Sequence, residues 1–443
     1  MVSQRSGTTL KHSSWLSRIW KTAPTCVRPA QWRRIRLEMR STETNFRWFW
    51  WAHSVSVLGS QLGSGAFTLT AILVLHAGAL EVSLLAAISS GSGLLMGPVI
   101  GPLVDRLPHR PLLIFANWTR AVLLLLVPVA AWFGLLGLPL LMLVAALVSI
   151  LNAVFEIASP AYLPSLVAED GLVRTNSRLM ASSSVAEVIG QPLGGLLVQS
   201  IGATQTMLID GVSFMFSAIG LSRIRLTQAP IPIRERVSPL VEALEGFRFV
   251  FAHRVLVWIT LAMLGSSFGG GILGSLYTLY GLRELSLTPF LIGLTVGLGG
   301  LSSLLGALIV ERLTSSFGLR RTLVAGAILG ALIQLLIPLA RAPLALVFLV
   351  LAQTGDVFGT VSRVSESSLQ QQLTPSDWLG RVHASQHFLS SLALTFGALA
   401  GGWIAERYGL RTAILLGVIG LIVSSLATLP LLTAQKTVVT AGP

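Results

Sequence analysis

Long apolar runs, each about as long as a bilayer is thick, constrain this chain more than any other feature. A helix needs about 20 mostly apolar residues to span the hydrocarbon core of a membrane. Charged residues make up only 11% of the 443 residues, whereas soluble domains contain about 25%. The sequence therefore predicts an all-α membrane protein.

Twelve of these runs are predicted to be transmembrane segments, six on each side of a polar connector. Numbered in chain order, segments 1 to 6 are residues 48–75, 82–104, 112–133, 138–163, 172–198 and 204–222. Segments 7 to 12 are residues 255–280, 289–310, 322–340, 344–369, 379–405 and 412–432. We therefore expect two six-helix bundles, residues 46–222 and residues 255–432.

The connector, residues 223–254, is predicted to be cytoplasmic and to contain an amphipathic helix. Leu240, Leu244, Phe247 and Phe251 follow one another at spacings of 4, 3 and 4 residues, which places them on one face of a helix. A helix with such a face is typical of a membrane surface.

Basic residues gather at one end of the segments. With the N-terminus in the cytoplasm, most of the 31 Lys and Arg residues fall on the cytoplasmic side. The opposite side takes Arg283, Arg341, Arg407 and Arg411. By the positive-inside rule, we expect a multi-pass protein of the plasma membrane with two cytoplasmic tails, residues 1–45 and 433–443. The first tail is rich in Lys, Arg and Trp, which suits an anionic lipid surface.

The two halves are predicted to be a duplication. A shift of 207 residues superposes Gly190 on Gly397, and the pair Gly194-Gly195 on the pair Gly401-Gly402. Parallel duplicated halves are related by a pseudo-two-fold axis normal to the membrane, so we expect pseudo-symmetric bundles. Small residues let helices approach closely. We assign helix packing to Gly190, Pro192, Gly194, Gly195, Gly397, Gly401 and Gly402.

A short charged stretch interrupts the apolar pattern between segments 2 and 3. It contains four residues in the pattern G-x-x-x-D-R-x-x-x-R, namely Gly101, Asp105, Arg106 and Arg110. A shift of 206 residues places Asp105-Arg106 on Glu311-Arg312, between segments 8 and 9. We therefore predict one charged hairpin in each half, on the cytoplasmic face.

From residue 46 to residue 432 the chain resembles the major facilitator superfamily, whose hallmark between its second and third helices is this G-x-x-x-D-R-x-x-x-R pattern. Residues 105–113, 160–167 and 210–214 are similar to the bacterial drug, macrolide and siderophore exporters of that family. The resemblance implies a twelve-helix transporter fold. It also makes the hairpin a conformational latch, in which Asp105 interacts with the positive end of the segment 11 helix dipole.

Segment 5 is similar to an antiporter signature of the family but departs from it. The signature G-P-x-x-G-G corresponds to Gly190, Pro192, Gly194 and Gly195, with Gln191 inserted after the first glycine. Many drug/proton antiporters of the family also carry an acid in helix one and an arginine in helix four. This chain has Gln61 in segment 1 and no basic residue in segment 4.

Polar and ionisable residues within the segments are the candidates for a proton or substrate site. An ionisable group is costly in lipid and usually faces protein or a watery cavity. Asp356 and Glu187 lie about 20 Å into their segments, where either can exchange a proton. The alternative is a permanently paired or hydrogen-bonded carboxylate. Gln61, Asn152 and Glu366 complete the predicted site.

A gate is predicted between segments 4 and 10. Glu156 and Arg363 are related by the shift of 207 residues, and in the superfamily these two helices line the cavity and close against each other. We hypothesise a salt bridge between them in the outward-facing state. The alternative is a local pair of Arg363 with Glu366, three residues along the helix. Arg120 and Asp210 are placed nearer their helix ends and are expected to be structural.

Other chemistries find no support in the sequence. Matches to a nucleophile elbow and a dinucleotide fingerprint within residues 265–274 lie inside segment 7, without the strand–turn–helix context they require. Cys26 is the one cysteine, and His383 and His387 have no evident third ligand. We therefore expect no catalytic residue, no metal, no cofactor, no nucleic-acid partner and no enzyme activity.

The predicted function is secondary active transport, in the form of proton-coupled export of hydrophobic or amphipathic small molecules by alternating access. Segments rich in Leu, Ala, Gly, Ser and Phe suit such substrates better than anions. The alternatives are nutrient uptake by symport, a transporter-like sensor or scaffold without flux, and a polytopic membrane enzyme. We expect the protein to act as a monomer.

Overall fold

The computed structural model describes residues 29–95, 100, 104, 106–167, 171–224 and 239–433, which are helical almost throughout and contain no strand. Nine helical stretches in these ranges are long and apolar enough to cross a membrane, and Ala79–Ser92 is a shorter apolar helix. Segments 5 and 6 are helices that contain polar residues such as Glu187, Gln191 and Asp210. The predicted all-α membrane protein with twelve transmembrane segments in two bundles is confirmed.

The N-terminal bundle contains segments 1 to 6. Segment 1 consists of Pro29–Gly63 and Ala66–Leu73, and segments 2 to 6 contain Ala79–Leu95, His109–Trp132, Leu138–Leu166, Leu172–Ile201 and Ala203–Ser222. The helix of segment 1 begins at Pro29, earlier than the predicted segment. Proline suits the first turn of a helix, and residues 30–47 contain no glycine or proline that would interrupt the helix.

The C-terminal bundle follows the connector helix, Pro239–Ala252. Segments 7 and 8 are Arg254–Arg283 and Pro289–Phe317. Segment 9 consists of Leu319–Ile333 and Leu336–Leu339, and segment 10 consists of Ala345–Gln353 and Gly355–Leu373. Segments 11 and 12 are Ser376–Tyr408 and Leu410–Leu426, and a 3-10 turn, Leu429–Leu432, ends the bundle.

Tight turns in equivalent positions join the last two segments of each bundle. Gly202, with φ of 99°, separates segments 5 and 6, and Gly409, with φ of 92°, separates segments 11 and 12. Glycine adopts this left-handed conformation without steric strain. Because the two glycines are 207 residues apart, the duplication read from the sequence is present in the backbone.

The connector helix lies against the start of segment 11. Arg381 Nη1 donates to Glu245 Oε2 at 2.8 Å, and the ring of Phe249 stacks on Trp378 with centroids 4.9 Å apart. Gly246 rests on the backbone of segment 11, where a side chain would clash. The face that packs on the bundle therefore contains Gly246 and Phe249.

The apolar face predicted for this helix is not the face that packs on the bundle. Of its members, Phe247 is partly buried and Phe251 is 61% exposed; the side chains of Leu240 and Leu244 lie outside the described residues. The helix thus has a second apolar face, which the spacing analysis missed because Gly246 and Phe249 do not continue the predicted stripe. An exposed Phe251 suits a helix that lies at a membrane surface.

The two bundles meet on one side of the molecule. We call the end that holds the connector helix the connector side, and the opposite end the far side. Near the far side, Arg283 Nη2 of segment 7 donates to the carbonyl oxygen of Ala77 at 2.8 Å, and Ser83 of segment 2 donates to Ser275 of segment 7 at 3.4 Å.

Described contacts between the bundles continue to about mid-height. Gly91 of segment 2 approaches Thr395 of segment 11, and Gly300 of segment 8 approaches Glu187 of segment 5. Beyond that level, no ion pair between the bundles closes the connector side among the residues described above. Glu156 of segment 4 and Arg363 of segment 10, which lie nearer the connector side, are both exposed.

Candidate functional site

A seam of polar side chains joins segments 1 and 5 in the N-terminal bundle. Trp50 Nε1 donates to Ser182 Oγ at 3.2 Å, and His53 Nε2 lies 3.4 Å from Ser183 Oγ. His53 Nδ1 is buried without a hydrogen-bond partner in the described part of the chain. The seam therefore holds an imidazole with one nitrogen that has no protein partner there.

Gln61, a predicted site residue, belongs to the same seam. Gln191 Nε2 donates to Gln61 Oε1 at 3.2 Å and to Ser64 Oγ at 2.8 Å. A side chain at Gly190 would overlap Gln61, so glycine allows the two helices to come this close. Gln191, which interrupts the antiporter-like signature, is thus one of the residues that connect segment 5 to segment 1.

Glu187 lies one helical turn before Gln191 and is exposed. Its side chain approaches Gly300 of segment 8, in the opposite bundle. None of the ion pairs between described residues includes Glu187. The structure therefore places an unpaired carboxylate at the interface between the bundles, midway along segment 5.

Asp356 follows the interruption in segment 10 and is partly buried. Its carboxylate and the side chain of Gln353 border Gly299 of segment 8, where a side chain would clash with both. Gln353 Nε2 donates to Tyr277 Oη at 3.1 Å, and Tyr277 donates to Thr295 Oγ1 at 2.9 Å. A carboxylate beside a chain of polar groups within a membrane segment can exchange a proton or bind a cationic group.

A second polar cluster surrounds Arg120 in the N-terminal bundle. Arg120 is 3% exposed and lies in the middle of His109–Trp132, so the prediction that it lies near a helix end was wrong. The helix starts three residues before the predicted start of segment 3. The guanidinium donates to Asn117 Oδ1 and, at 2.8 Å, to Asn152 Oδ1. Asn152, predicted to bind a proton or substrate, is therefore engaged by Arg120.

Aromatic rings and a carboxylate complete the surroundings of Arg120. Its guanidinium carbon lies 4.7 Å from the centroid of Phe155 and 4.2 Å from that of Phe214. Asp210, buried in segment 6, acts electrostatically on Arg120 without forming one of the ion pairs among described residues. Hydrogen bonds and ring faces offset the desolvation of a buried cation. This arrangement is that of a structural charge.

Glu156 and Arg363 do not meet in this structure. Both are exposed, and Arg363 Nη2 donates to Thr360 Oγ1 at 3.1 Å. The charge of Arg363 acts on both Asp356 and Glu366, yet neither forms an ion pair with it in the described residues. The local pair is therefore not formed in this state, and the gate stays a prediction for a state with a closed connector side.

The charged hairpin is described only in part. Gly101 and Asp105 lie outside the described residues, so the latch role of Asp105 stays a prediction. Arg106 is exposed. Arg110 donates to the carbonyl oxygens of the last two residues of Ala203–Ser222, at 3.3 and 2.7 Å. Arg110 therefore binds the C-terminal end of segment 6.

The C-terminal half contains a similar contact between an arginine and the end of the last segment. Arg320 Nη1 donates to the carbonyl oxygen of Leu431 at 3.3 Å, after segment 12. In each half the arginine precedes its acceptor by 111 residues. A cation at a helix C-terminus compensates the partial negative charge of the last carbonyls. Glu311 and Arg312, the predicted echo of the hairpin, are exposed.

The predicted packing residues lie at two kinds of helix interface. Within a bundle, segment 1 is approached by Gly190 and Gly194, and segment 7 by Gly397 and Gly401. Between the bundles, segment 8 is approached by Pro192 and Gly195, and segment 2 by Gly402. Glycines 207 residues apart thus occupy equivalent interfaces.

Several of these residues were not identified from the sequence. His53, Tyr277 and Gln353 are neutral polar residues inside apolar segments, and the search for candidates concentrated on charged ones. Burying a neutral polar group also costs free energy. A search that included such groups would have found these three residues. His383 and His387 are exposed, and no third His, Cys, Asp or Glu joins them within the described ranges.

Comparison with known proteins supplies the family context. Residues 49–398 match the family model described as Major Facilitator Superfamily. The chain is 24% identical over 393 residues to the uncharacterized MFS-type transporter YvqJ of Bacillus subtilis (strain 168), covering 87% of this chain and 92% of that protein. It is 26% identical over 357 residues to the multidrug efflux pump Tap of Mycolicibacterium fortuitum, covering 78% and 85%.

Solved structures share the fold. A bacterial homologue of the iron transporter ferroportin in the inward-facing state has a TM-score of 0.71 at 18% identity, covering 88% of this chain and 98% of that chain. The outward-facing state of a bacterial ferroportin homologue has a TM-score of 0.58 at 19% identity, covering 88% and 100%.

Proposed function

This chain belongs to the Major Facilitator Superfamily, a family of transporters, and we propose that it is a secondary active exporter of hydrophobic or amphipathic small molecules, driven by protons. Membership makes it a multi-pass membrane protein with a small-molecule substrate. The direction, the coupling ion and the class of substrate are our proposal. A relative named as a multidrug efflux pump supports export.

One observation carries the proposal. The described contacts between the bundles run from the far side to mid-height, through Arg283, Ser83 and Gly300, whereas Glu156 and Arg363, nearer the connector side, are both exposed. Rocking of one bundle against the other around a central site is the geometry of alternating access. A structure closed at one side and open at the other is one end state of that motion.

We propose that the space between the bundles is open on the connector side in this structure, and that this side faces the cytoplasm because it holds the connector and the basic hairpins. A substrate then enters between the bundles from the cytoplasm. Asp356 and Glu187 are the proposed proton-exchanging carboxylates, since each lies about midway along its segment and they border the adjacent residues Gly299 and Gly300 of segment 8. In the outward-facing state, Glu156 of segment 4 is proposed to pair with Arg363 of segment 10.

Flux in liposomes tests the proposal. Purified protein is reconstituted with an imposed pH gradient, and a panel of dyes, macrolides and siderophores is assayed against protein-free liposomes. We expect at least one compound to move opposite to the protons. Movement in the same direction as the protons would favour the nutrient symporter. Flux that ignores the gradient would contradict proton coupling, and the absence of any flux would favour a sensor.

A further inference from the structure

A groove lies on the outer surface of the N-terminal bundle, between segments 1 and 6 and close to the connector side. Its volume of about 590 Å³ is in the range of pockets that hold small ligands. It is lined by the following residues: Thr44, Arg47, Trp48, Trp51, Ala52, Val55, Phe216 and Gly220.

The lining changes from basic to apolar along the groove. Arg47 lies at the connector-side end, is exposed, and forms no ion pair with a described residue. Deeper in the membrane, Trp51 and Phe216 are 57% and 61% exposed. Since Thr44–Leu73 is a candidate membrane span, the groove opens to lipid at its apolar part and to the headgroup region at Arg47.

The helix that contains Arg47 begins before the candidate membrane span. It continues from Thr44 back to Pro29, a length of about 22 Å at 1.5 Å per residue. By the 3.6-residue period, Arg47 lies on one face of this helix. The positions of Trp51 and Val55 fall on the same face.

We propose that this groove binds an anionic phospholipid of the connector-side leaflet. The headgroup phosphate contacts Arg47, because a guanidinium forms charge-assisted hydrogen bonds with phosphate oxygens. One acyl chain lies against Trp51, Val55 and Phe216. Trp side chains favour this boundary between headgroups and hydrocarbon. A zwitterionic lipid of the same chains matches the apolar part of the groove but offers no net charge to the arginine.

The other half of the molecule provides a matched control. A shift of 207 residues places Arg47 on Arg254 and Trp51 on Trp258. Arg254 is exposed like Arg47, whereas Trp258 packs against the core of the C-terminal bundle. The pair Arg47 and Arg254 thus separates the effect of this groove from the effect of any basic residue at a membrane surface.

Native mass spectrometry of the full chain in detergent tests the proposal, with phosphatidylglycerol and phosphatidylcholine of identical acyl chains as the added lipids. We expect phosphatidylglycerol to bind more tightly. Arg47→Gln should weaken its binding about fivefold, which corresponds to about 1 kcal/mol per basic residue near a lipid surface, and should weaken the binding of phosphatidylcholine less, because the choline cation offsets the charge of its phosphate. Arg254→Gln should change neither, and Trp51→Ala should weaken both.

Four results would overturn the proposal. Equal affinity for the two lipids, or equal losses in Arg47→Gln and Arg254→Gln, would mean unselective binding around the bundle. Phosphatidylglycerol binding that survives Trp51→Ala would place the lipid elsewhere. A dimer that Trp51→Ala dissociates would make the groove an interface between copies of the chain. Because all three side chains are accessible, the variants are expected to fold, and thermal unfolding in the same detergent checks this.

Discussion

The two bundles share a plan of packing but differ in where they place charge. The turn glycines Gly202 and Gly409 and the cap arginines Arg110 and Arg320 occupy equivalent positions in the two halves. Arg120 breaks the equivalence, because segment 9, residues 322–340, contains no basic residue. The duplicated backbone therefore depends on the same glycines and caps twice, but the buried cation occurs in one half.

In the C-terminal bundle, three charged residues lie along one segment. Asp356, Arg363 and Glu366 follow one another in segment 10, and Arg363 acts electrostatically on both acids. In contrast to the hydrogen-bonded cluster of Arg120, these groups are not saturated by protein partners. We infer that the buried charge of Arg120 stabilises the fold, whereas the charges of segment 10 respond to protons and substrate.

The strongest test of this contrast is Arg120→Ala. The substitution leaves Asp210 buried without its nearby cation, and Asn117 and Asn152 without their donor. Removing one partner of a buried charge group destabilises a protein by about 3–5 kcal/mol. We expect a large fall in the midpoint of thermal unfolding in detergent.

Arg363→Ala is the matched control for Arg120→Ala. Arg363 is exposed, so its removal should change stability by less than about 1 kcal/mol. Equal shifts in the two unfolding midpoints would break the contrast between a structural and a responsive charge.

Asp356→Asn tests the other half of the contrast. A carboxamide keeps the shape of the side chain but cannot exchange a proton, so flux driven by a pH gradient should fall to the level of protein-free liposomes while the unfolding midpoint changes little. Asp210→Asn, the control, should lower the midpoint instead. Retained coupling in Asp356→Asn together with its loss in Glu187→Gln would move the proton site to the N-terminal bundle.

The sequence predicted the segments and the repeat because both follow from strong constraints. A bilayer imposes helix length, and close helix contacts require small residues such as Gly194 and Gly401. The chemistry of the interior was harder to predict, since it depends on contacts between segments. Asn152 is an example, because its engagement by Arg120 is visible only when segments 3 and 4 are packed.

Small errors in helix boundaries also changed the interpretation of single residues. A helix start three residues earlier moves Arg120 from near an end to the middle of segment 3. The interruption of segment 10 before Asp356 was not predicted either, although Gly355 has a low helix propensity. Both errors affect residues whose role depends on their depth in the membrane.

Charge reversal of the proposed gate is expected to have an intermediate effect. Glu156→Arg or Arg363→Glu alone brings like charges together when the connector side closes, and should lower flux about five- to tenfold, the equivalent of about 1–1.4 kcal/mol. The double exchange restores opposite charges and should recover part of the flux. Wild-type flux in both single variants would contradict the gate.

Arg110→Ala and Arg320→Ala should have the smallest effects and, on stability, equal ones. Each removes a cation from a helix C-terminus, which is worth about 0.3–1 kcal/mol, so the unfolding midpoints should fall slightly and by similar amounts. Measurements of flux should distinguish Arg110→Ala from Arg320→Ala. Because Arg110 also belongs to the charged hairpin with Asp105, a loss of flux in Arg110→Ala beyond that in Arg320→Ala measures what the hairpin contributes to the conformational change. Equal flux in the two variants would mean that Arg110 only caps a helix, as Arg320 does, and contributes nothing through the charged hairpin.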